Sequence, residues 1–197
     1  MQTPRKWWLR RRKGAQLGQT LLKDGRMLEV TEAASEDAAG LLIFLSKTAG
    51  ESNNLISEPS DFDEMTTEQE AAWIRRQHQT PGCLMLVGKV DGQIVATAAL
   101  ATLQRKRISH TSELSIMVAR DYWALGVGTA LMEVLVNFAR ESGTLRLLYL
   151  GVRADNASAI RLYRRFGFED AGLYKGYLLA GGEYHDQLLM TLELAKD

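Results

Sequence analysis

The residues best suited to chemistry lie around two glycines, Gly126 and Gly128, which follow an apolar run ending at Val118 and open an amphipathic run. This order predicts a strand, a short turn and a helix whose first amide groups have no intrahelical partner. Such N–H groups and the helix dipole bind phosphate, and glycine allows close approach because it has no Cβ atom. A tight connection without a ligand is the other interpretation, since short Gly-x-Gly patterns are common.

The residues around the turn disfavour two classes of phosphate ligand. A dinucleotide-binding fingerprint would need Gly or Ala where Leu131 stands, and an acidic residue about 20 positions later. A nucleoside triphosphate loop would need Gly-Lys-Ser/Thr, whereas this helix opens with Gly128-Thr129-Ala130. Neither pattern is present, so dinucleotides and nucleoside triphosphates fit this turn poorly.

A second segment, residues 156–168, carries Tyr163 on the apolar face of a predicted helix, and periodicity alone favours a core tyrosine. Together the two segments resemble the GNAT superfamily of acyl-CoA N-acyltransferases, which pairs (Gln/Arg)-x-x-Gly-x-(Gly/Ala) with a later Asn-x-x-Ala-x-x-Leu-Tyr-x-x-x-Gly-Phe. The second pattern matches at every position from Asn156 to Phe168. In the first, Trp123 stands where most members have Gln or Arg.

The resemblance implies both a fold and a reaction. The fold is an α/β (α+β) GNAT fold in one domain, with a central, mixed, mostly antiparallel sheet of six to seven strands flanked by about four helices. The reaction is transfer of an acetyl group from acetyl-CoA (coenzyme A) to a primary amine by direct attack on the thioester, without a metal. A non-catalytic acyl-CoA sensor or interaction module of the same fold is the alternative.

The same resemblance gives roles to individual residues. Backbone groups of Met117 and Val118 would contact the pantetheine amides and the thioester oxygen, and Asn156 would touch the pantetheine or pyrophosphate region. Tyr163 would be the general acid for the departing thiolate, whose conjugate acid has a pKa of about 8.5. The phosphates would rest on the main-chain amides of Gly126, Val127, Gly128 and Thr129.

Glu113 is the candidate general base, because it begins the strand that ends at Val118 and some relatives place a glutamate on this strand. A surface carboxylate is the other interpretation, since a shift of one residue in register would turn the side chain to the other face. His110 is a second candidate for this role. The remaining candidates, His78, His185 and Cys83, are interpreted as structural or incidental.

An acidic run in the sequence is relevant to which amine acceptor binds. Between Lys47 and Arg75 the chain has seven Asp and Glu residues and no Lys or Arg. In this superfamily the segment between the first two helices and the final hairpin largely set acceptor specificity. The run would therefore attract a cationic acceptor such as a polyamine, an amino sugar or a peptide N-terminus. A solvated acidic loop without a specific function is the alternative.

Turns and helix caps predict the elements that position these residues. Asp24-Gly25, Asp91-Gly92 and Gly181-Gly182 predict hairpins, because type I′ turns need positive φ angles. Strands are predicted at residues 17–22, 27–31, 84–90, 93–103, 113–118, 146–152, 174–179 and 184–194. Helices are predicted at residues 36–49 with Ser35 as cap, 67–79 with a capping box opened by Thr67, 128–142, and 157–166.

Charge is unevenly distributed along the 197 residues. Residues 1–26 hold eight Lys and Arg against one acid, which leaves sixteen against twenty-three in the rest. Because the body is acidic, nucleic acid is not expected as a partner. No apolar run is long enough to span a bilayer, so no membrane association is expected. We predict a cytoplasmic enzyme with residues 1–16 as a basic arm and 17–197 as the acetyltransferase domain; a homodimer remains open.

Overall fold

The computed structural model describes residues 16–194, which form one sheet with helices on both faces. The predicted basic arm lies outside this range except for Gln16, the first residue of the sheet. The strands are β1 (Gln16–Leu21), β2 (Met27–Glu32), β3 (Leu84–Val90), β4 (Gln93–Ala101), β5 (Thr111–Val118), β6 (Leu147–Arg153), β7 (Glu169–Ala180) and β8 (Glu183–Glu193). The helices are α1 (Ala38–Ala49), α2 (Thr67–Gln79), α3 (Val127–Glu141) and α4 (Ala157–Arg165).

The eight strands follow the order β1-β2-β3-β4-β5-β6-β8-β7. Every neighbouring pair is antiparallel except β5 and β6, which are parallel because α3 connects them. A mixed, mostly antiparallel sheet with four helices among residues 16–194 is the predicted fold class. It has eight strands rather than the predicted six to seven.

Each face of the sheet has its own hydrophobic core. On one face, α3 and α4 pack on Leu86, Ala98, Leu114 and Leu148. On the other face, α1 and α2 pack on residues of alternate position in β3 and β4, including Val87. Because side chains alternate along a strand, these two cores determine which face each site residue reaches.

The predicted cap of α2 is shifted by one residue. Thr66, not Thr67, caps this helix: its Oγ1 accepts the Gln69 N–H (3.2 Å), and Gln69 Oε1 accepts the Thr66 N–H (2.9 Å). Both threonines have a glutamine or glutamate three residues later, Gln69 and Glu70, so the pattern fits either one. Glu70 is buried, and Gln69 is the residue that completes the capping box.

The predicted Ser35 cap of α1 is also wrong. Residues Ser35–Asp37 form a 3-10 turn, and the Asp37 carboxylate accepts the Ala34 N–H (2.8 Å). The α-helix therefore begins at Ala38, two residues later than predicted.

The final hairpin is longer than predicted. β7 begins at Glu169 rather than Tyr174, and its first residues are exposed without the alternation that marks a half-buried strand. Pairing with β8 determines this start. The turn itself was predicted correctly, since Gly181 and Gly182 have φ angles of 61° and 82°. The other predicted strand ends agree with the structure to within two residues.

A buried carboxylate of β2 contacts a histidine of α2. Glu32 is 1% exposed at its side chain, and its Oε1 lies 2.8 Å from His78 Nδ1. His78 Nε2 donates to the carbonyl oxygen of Ala33 (2.6 Å). His78 therefore acts as a structural residue, as the sequence interpretation expected.

His78→Ala should destabilise the protein by about 1–3 kcal/mol, because it removes a hydrogen-bonding partner from the buried carboxyl group of Glu32. Urea unfolding monitored by circular dichroism measures this difference. His110→Ala, which changes an exposed histidine, is the matched control and should leave the free energy of unfolding nearly unchanged. Equal midpoints for the two variants would contradict the structural role of His78.

Candidate active site

The start of α3 presents unpaired main-chain donors. Its first intrahelical bond runs from the Ala130 N–H to the Gly126 carbonyl (3.1 Å), and no side chain caps the helix. The N–H groups of residues 126–129 therefore have no intrahelical acceptor. They lie at the positive end of a 15-residue helix, which favours an anion.

The two glycines of this turn are needed for different reasons. Gly126 has a φ of +108° and open space around it, so its role is conformational. Gly128 allows close packing instead, because a Cβ atom there would lie 3.0 Å from Leu162 Cδ2 of α4. The first glycine shapes the turn, and the second lets α4 pack directly against it.

β5 and β6 separate just before this turn. They pair over three residues, Thr111 with Leu147 through Glu113 with Tyr149, whereas both strands continue well beyond that point. The rest of β5 stays paired with β4 up to Val118. The two parallel strands therefore diverge and leave a gap between them that opens toward the start of α3.

The main chain of β5 directs alternate residues into this gap. The His110 carbonyl accepts the Arg146 N–H of the segment leading into β6 (2.8 Å), and the Ala119 N–H donates to the Val95 carbonyl of β4 (3.0 Å). In a strand, residues two apart point their N–H and C=O groups to the same side. Even-numbered residues of β5 therefore face β6 and the gap, and odd-numbered residues face β4.

This alternation changes one predicted contact. Met117 is odd-numbered and opposite Thr97 of β4, so its amide is directed away from the gap. Ile116 and Val118 are directed into it. We therefore expect the contact to the thioester oxygen from Ile116 instead of Met117, and we keep Val118 as a pantetheine contact.

Side chains of β5 and β6 separate onto the two faces of the sheet. Leu114 and Leu150 belong to the core under α3 and α4. Glu113, Ser115 and Gly151 lie on the opposite face, where they are exposed. The gap therefore connects a buried face with an accessible one.

Glu113 lies on the accessible face beside Tyr149, its partner in the parallel pairing. Burial first, and then the nearby Glu113 carboxylate, raise the pKa of the Tyr149 phenol. The carboxylate is thus next to the point where the gap begins and is exposed to solvent. This position would allow it to accept a proton from a molecule entering the gap.

Tyr163 lies on the buried face. It is 6% exposed, packs against Phe168 at a centroid distance of 5.9 Å, and belongs to the core under α3 and α4. Burial raises its pKa to about 12. The phenol therefore keeps its proton at neutral pH, and no residue among 16–194 is hydrogen-bonded to its hydroxyl group.

Trp123 and Asn156 both have partners within the chain. Trp123 Nε1 donates to the Val118 carbonyl (2.7 Å), so this side chain is turned back onto the end of β5 and not toward the start of α3. Asn156 caps α4, with Oδ1 accepting the Ala159 N–H (3.2 Å). Its Nδ2 group is the part of the side chain left for a ligand.

Arg165 is a candidate that the sequence analysis did not identify as a site residue. Its Nη2 donates to Thr129 Oγ1 (2.5 Å), which brings a guanidinium to the first turn of α3. Neighbouring Arg164 is engaged instead by the carboxylate of Asp170 (2.8 and 3.0 Å). Residue spacing could have suggested Arg165, since it lies one turn after Leu162, which contacts Gly128.

The segment between α1 and α2 reaches the gap. The Glu51 carboxylate accepts the Arg120 N–H just after β5 (2.6 Å), and the Asn53 carbonyl accepts from Arg153 Nη1 at the end of β6 (3.0 Å). Part of the predicted acidic surface therefore has an internal role. Glu70 is buried as well, and burial raises the pKa of its carboxyl group.

Comparison with known proteins identifies this arrangement. The Acetyltransferase (GNAT) family model matches residues 51–168. L-amino acid N-acetyltransferase AaaT of Escherichia coli (strain K12) is 34% identical over 119 residues, which is 60% of this chain and 74% of AaaT. The chain belongs to the GNAT acetyltransferase family. It is therefore an acyltransferase, as the sequence predicted.

Two solved structures agree with the GNAT assignment. A GNAT-family acetyltransferase from Streptococcus pneumoniae has a TM-score of 0.81 at 28% identity and covers 85% of this chain and 99% of its own. The yncA protein of Salmonella typhimurium, solved with acetyl-CoA, has a TM-score of 0.75 at 21% identity, covering 86% and 95%. The predicted co-substrate, acetyl-CoA, fits the unpaired amides and the gap of this GNAT chain.

Two features are absent from residues 16–194 of this GNAT protein. Across residues 16–194, no helix has the length and apolar content needed to cross a membrane. Over the same residues, no group of three or more His, Cys, Asp and Glu side chains is placed to bind a metal ion.

Proposed function

We propose that this GNAT protein transfers an acetyl group from acetyl-CoA to the α-amine of an amino acid or of a peptide N-terminus. The observation that supports it is the gap between β5 and β6, which has an exposed carboxylate on one face and a buried phenol on the other. The amino-acid specificity of AaaT is consistent with an α-amine acceptor.

The accessible face would receive the amine. Most amines are protonated at neutral pH, so a base must remove a proton before or during attack. Glu113 would take this proton directly or through one water molecule, because it borders the gap on that face. The amine nitrogen would then form its bond to the carbonyl carbon of the acetyl group, and it would lose its second proton to solvent so that the product is a neutral amide.

The gap itself would stabilise the charge that develops. As the nitrogen attacks, the thioester oxygen becomes negative, and a fixed N–H donor lowers the energy of that state. The Ile116 N–H faces the gap and has no β6 residue paired with it, so it fits this role. Val118, two residues further along β5, would bind the pantetheine through its N–H group, because its carbonyl oxygen already accepts from Trp123 Nε1.

The buried face would receive the leaving sulfur. Cleavage of the carbon–sulfur bond leaves its electron pair on sulfur, and a proton donor neutralises it. Tyr163 keeps its proton at working pH because burial raises its pKa to about 12. The phenol would donate this proton to sulfur as the bond breaks, and solvent would restore it after product leaves.

The start of α3 would hold the diphosphate through the amides of Gly126, Val127, Gly128 and Thr129. In most family members a Gln or Arg side chain assists, but Trp123 is turned away here. Arg165 would supply that positive charge instead, since its guanidinium already contacts the first turn of α3.

Arg165→Ala should weaken CoA binding about three- to tenfold, because the variant loses one solvent-exposed charge-assisted contact. Calorimetric titration at low and high salt measures it, and the difference should shrink as salt rises. Arg140→Ala, at the other end of α3, is the matched control and should bind like the parent. Equal affinity of Arg165→Ala and the parent at low salt would remove this arginine from the site.

The proposed reaction is tested by following thiol release from acetyl-CoA with a panel of amines. The panel contains amino acids, amino acid amides, dipeptides, a polyamine and an amino sugar. We expect turnover with the α-amines and little with the others. Turnover with the polyamine or amino sugar alone would overturn the acceptor, and binding of acetyl-CoA without thiol release for any amine would favour the sensor alternative.

A further inference from the structure

Gln187 is a largely buried residue of β8. The residue is 5% exposed, and neither amide atom is hydrogen-bonded to any residue among 16–194. The amide is not completely enclosed, so its oxygen and nitrogen can still form hydrogen bonds to a bound molecule.

The amide of Gln187 occupies the place of a missing side chain on β6. A Cβ atom at Gly151 would lie 2.6 Å from Gln187 Cδ and 3.0 Å from Oε1. Any residue other than glycine at position 151 would therefore displace the amide. Gly151 and Gln187 thus act as a pair, in which the glycine makes room for the glutamine.

The Gly151–Gln187 pair lies on the same face of the sheet as Glu113, the proposed general base. Gly151 lies two residues from Tyr149, which pairs with Glu113, and two residues from Arg153, which is opposite Gln187. These residues share the accessible face of the sheet, about 6–7 Å apart along β6. A molecule whose amine reaches Glu113 would have its next atoms close to the Gln187 amide.

Arg153 is less available than Gln187 for this molecule. Its guanidinium is engaged by the Asp155 carboxylate (2.6 and 2.7 Å) and by the Asn53 carbonyl (3.0 Å). The neighbouring group with unused hydrogen-bonding capacity is thus a neutral amide. Its Nε2 group can donate to an oxygen atom, whether that oxygen belongs to a carboxylate or to a peptide carbonyl.

We propose that Gln187 binds the carbonyl oxygen next to the reacting amine and so selects α-amino acids and peptide N-termini over simple amines. The Nε2 group donates to this oxygen, which holds the amine toward Glu113. The proposal rests on the proposed α-amine transferase. It adds a specificity-determining residue on the accessible face, and it explains why position 151 is glycine.

The test compares acceptors that differ only in the carbonyl group. Alaninamide and a dipeptide beginning with alanine contain it, and isopropylamine lacks it. Gln187→Met keeps the length and apolar contacts but removes the amide. The ratio of kcat/KM for each alanine compound to that for isopropylamine should fall about five- to tenfold in Gln187→Met, the loss expected for one hydrogen bond. The KM for acetyl-CoA should stay unchanged.

Two further variants separate recognition from packing. Gly151→Ala should lower the same ratio, because its Cβ atom displaces the amide. Gln93→Met, which changes an exposed glutamine at the start of β4, should leave it unchanged. A ratio that is equal in the parent and in Gln187→Met would overturn the proposal while leaving the transferase activity in place.

A binding measurement covers the case in which no amine is acetylated. Alaninamide and isopropylamine are titrated into the protein saturated with CoA. Binding of alaninamide that is stronger than that of isopropylamine, and that is lost in Gln187→Met, would support the Gln187 role even if the transferase proposal failed. Equal binding of alaninamide by the parent and Gln187→Met would refute it.

Discussion

Tyr163→Phe should lower kcat about 100-fold or more and leave the affinity for CoA nearly unchanged. The substitution removes a proton donor from the buried face of the gap, and general acid catalysis typically contributes about 10²–10⁴-fold. The ring that packs against Phe168 is kept, so the core should be preserved. Thiol release at saturating acetyl-CoA gives kcat, and calorimetric titration gives the dissociation constant.

Tyr184→Phe is the matched control, since it removes a phenolic hydroxyl from an exposed position. Its kcat should equal that of the parent. If Tyr163→Phe kept full turnover, a different proton donor would have to act on the buried face, and Tyr163 would be a core residue.

The raised pKa of Tyr163 also makes a prediction about alkaline stability. The phenol ionises near pH 10 in the unfolded chain and near pH 12 in the folded protein. Folding therefore retains a proton that the unfolded chain releases between these values, so stability is lost as pH rises from about 10 to 12. This loss, about 2–3 kcal/mol, should be absent in Tyr163→Phe.

Glu113→Gln should lower kcat/KM about 100-fold at pH 7, because the amide cannot accept a proton from the amine. The loss should shrink as pH approaches the pKa of the acceptor amine, since a larger fraction of the amine then arrives without its proton. A pH profile of kcat/KM from 6 to 10 measures both effects. A merely structural role would give a loss that does not depend on pH.

Glu133→Gln serves as the control, because Glu133 is exposed on α3 and lies outside the proposed site. Its profile should follow that of the parent. An unchanged profile for Glu113→Gln would mean that this carboxylate is an ordinary surface group and that the proton leaves by another route.

Much of the fold could be predicted because its signals are local. The Asp91-Gly92 turn has positive φ at both residues, and α3 ends where Gly143 adopts a φ of 67°. Such conformations depend on the residues themselves, so the sequence reveals them. The early start of β7 could not be predicted, because it depends on pairing with β8 and has no pattern of its own.

The site residues also divide into those that local sequence predicts and those that depend on strand register. The unpaired amides after Gly126 follow from one turn and one helix, so residues 126–129 could be proposed from sequence. The choice between Met117 and Ile116 depends on which edge of β5 faces β4, and that requires the register of three strands. The meeting of Gln187 with Gly151 depends on the β6–β8 register in the same way.

Amide hydrogen exchange with and without CoA tests the central claim most directly. On binding, exchange should slow about tenfold or more for the N–H groups of Ile116 and Val118 and for residues 126–129. The N–H of Met117, which faces β4, should change little. Protection that left residues 114–118 and 126–129 unaffected would contradict a site built from the β5–β6 gap and the start of α3.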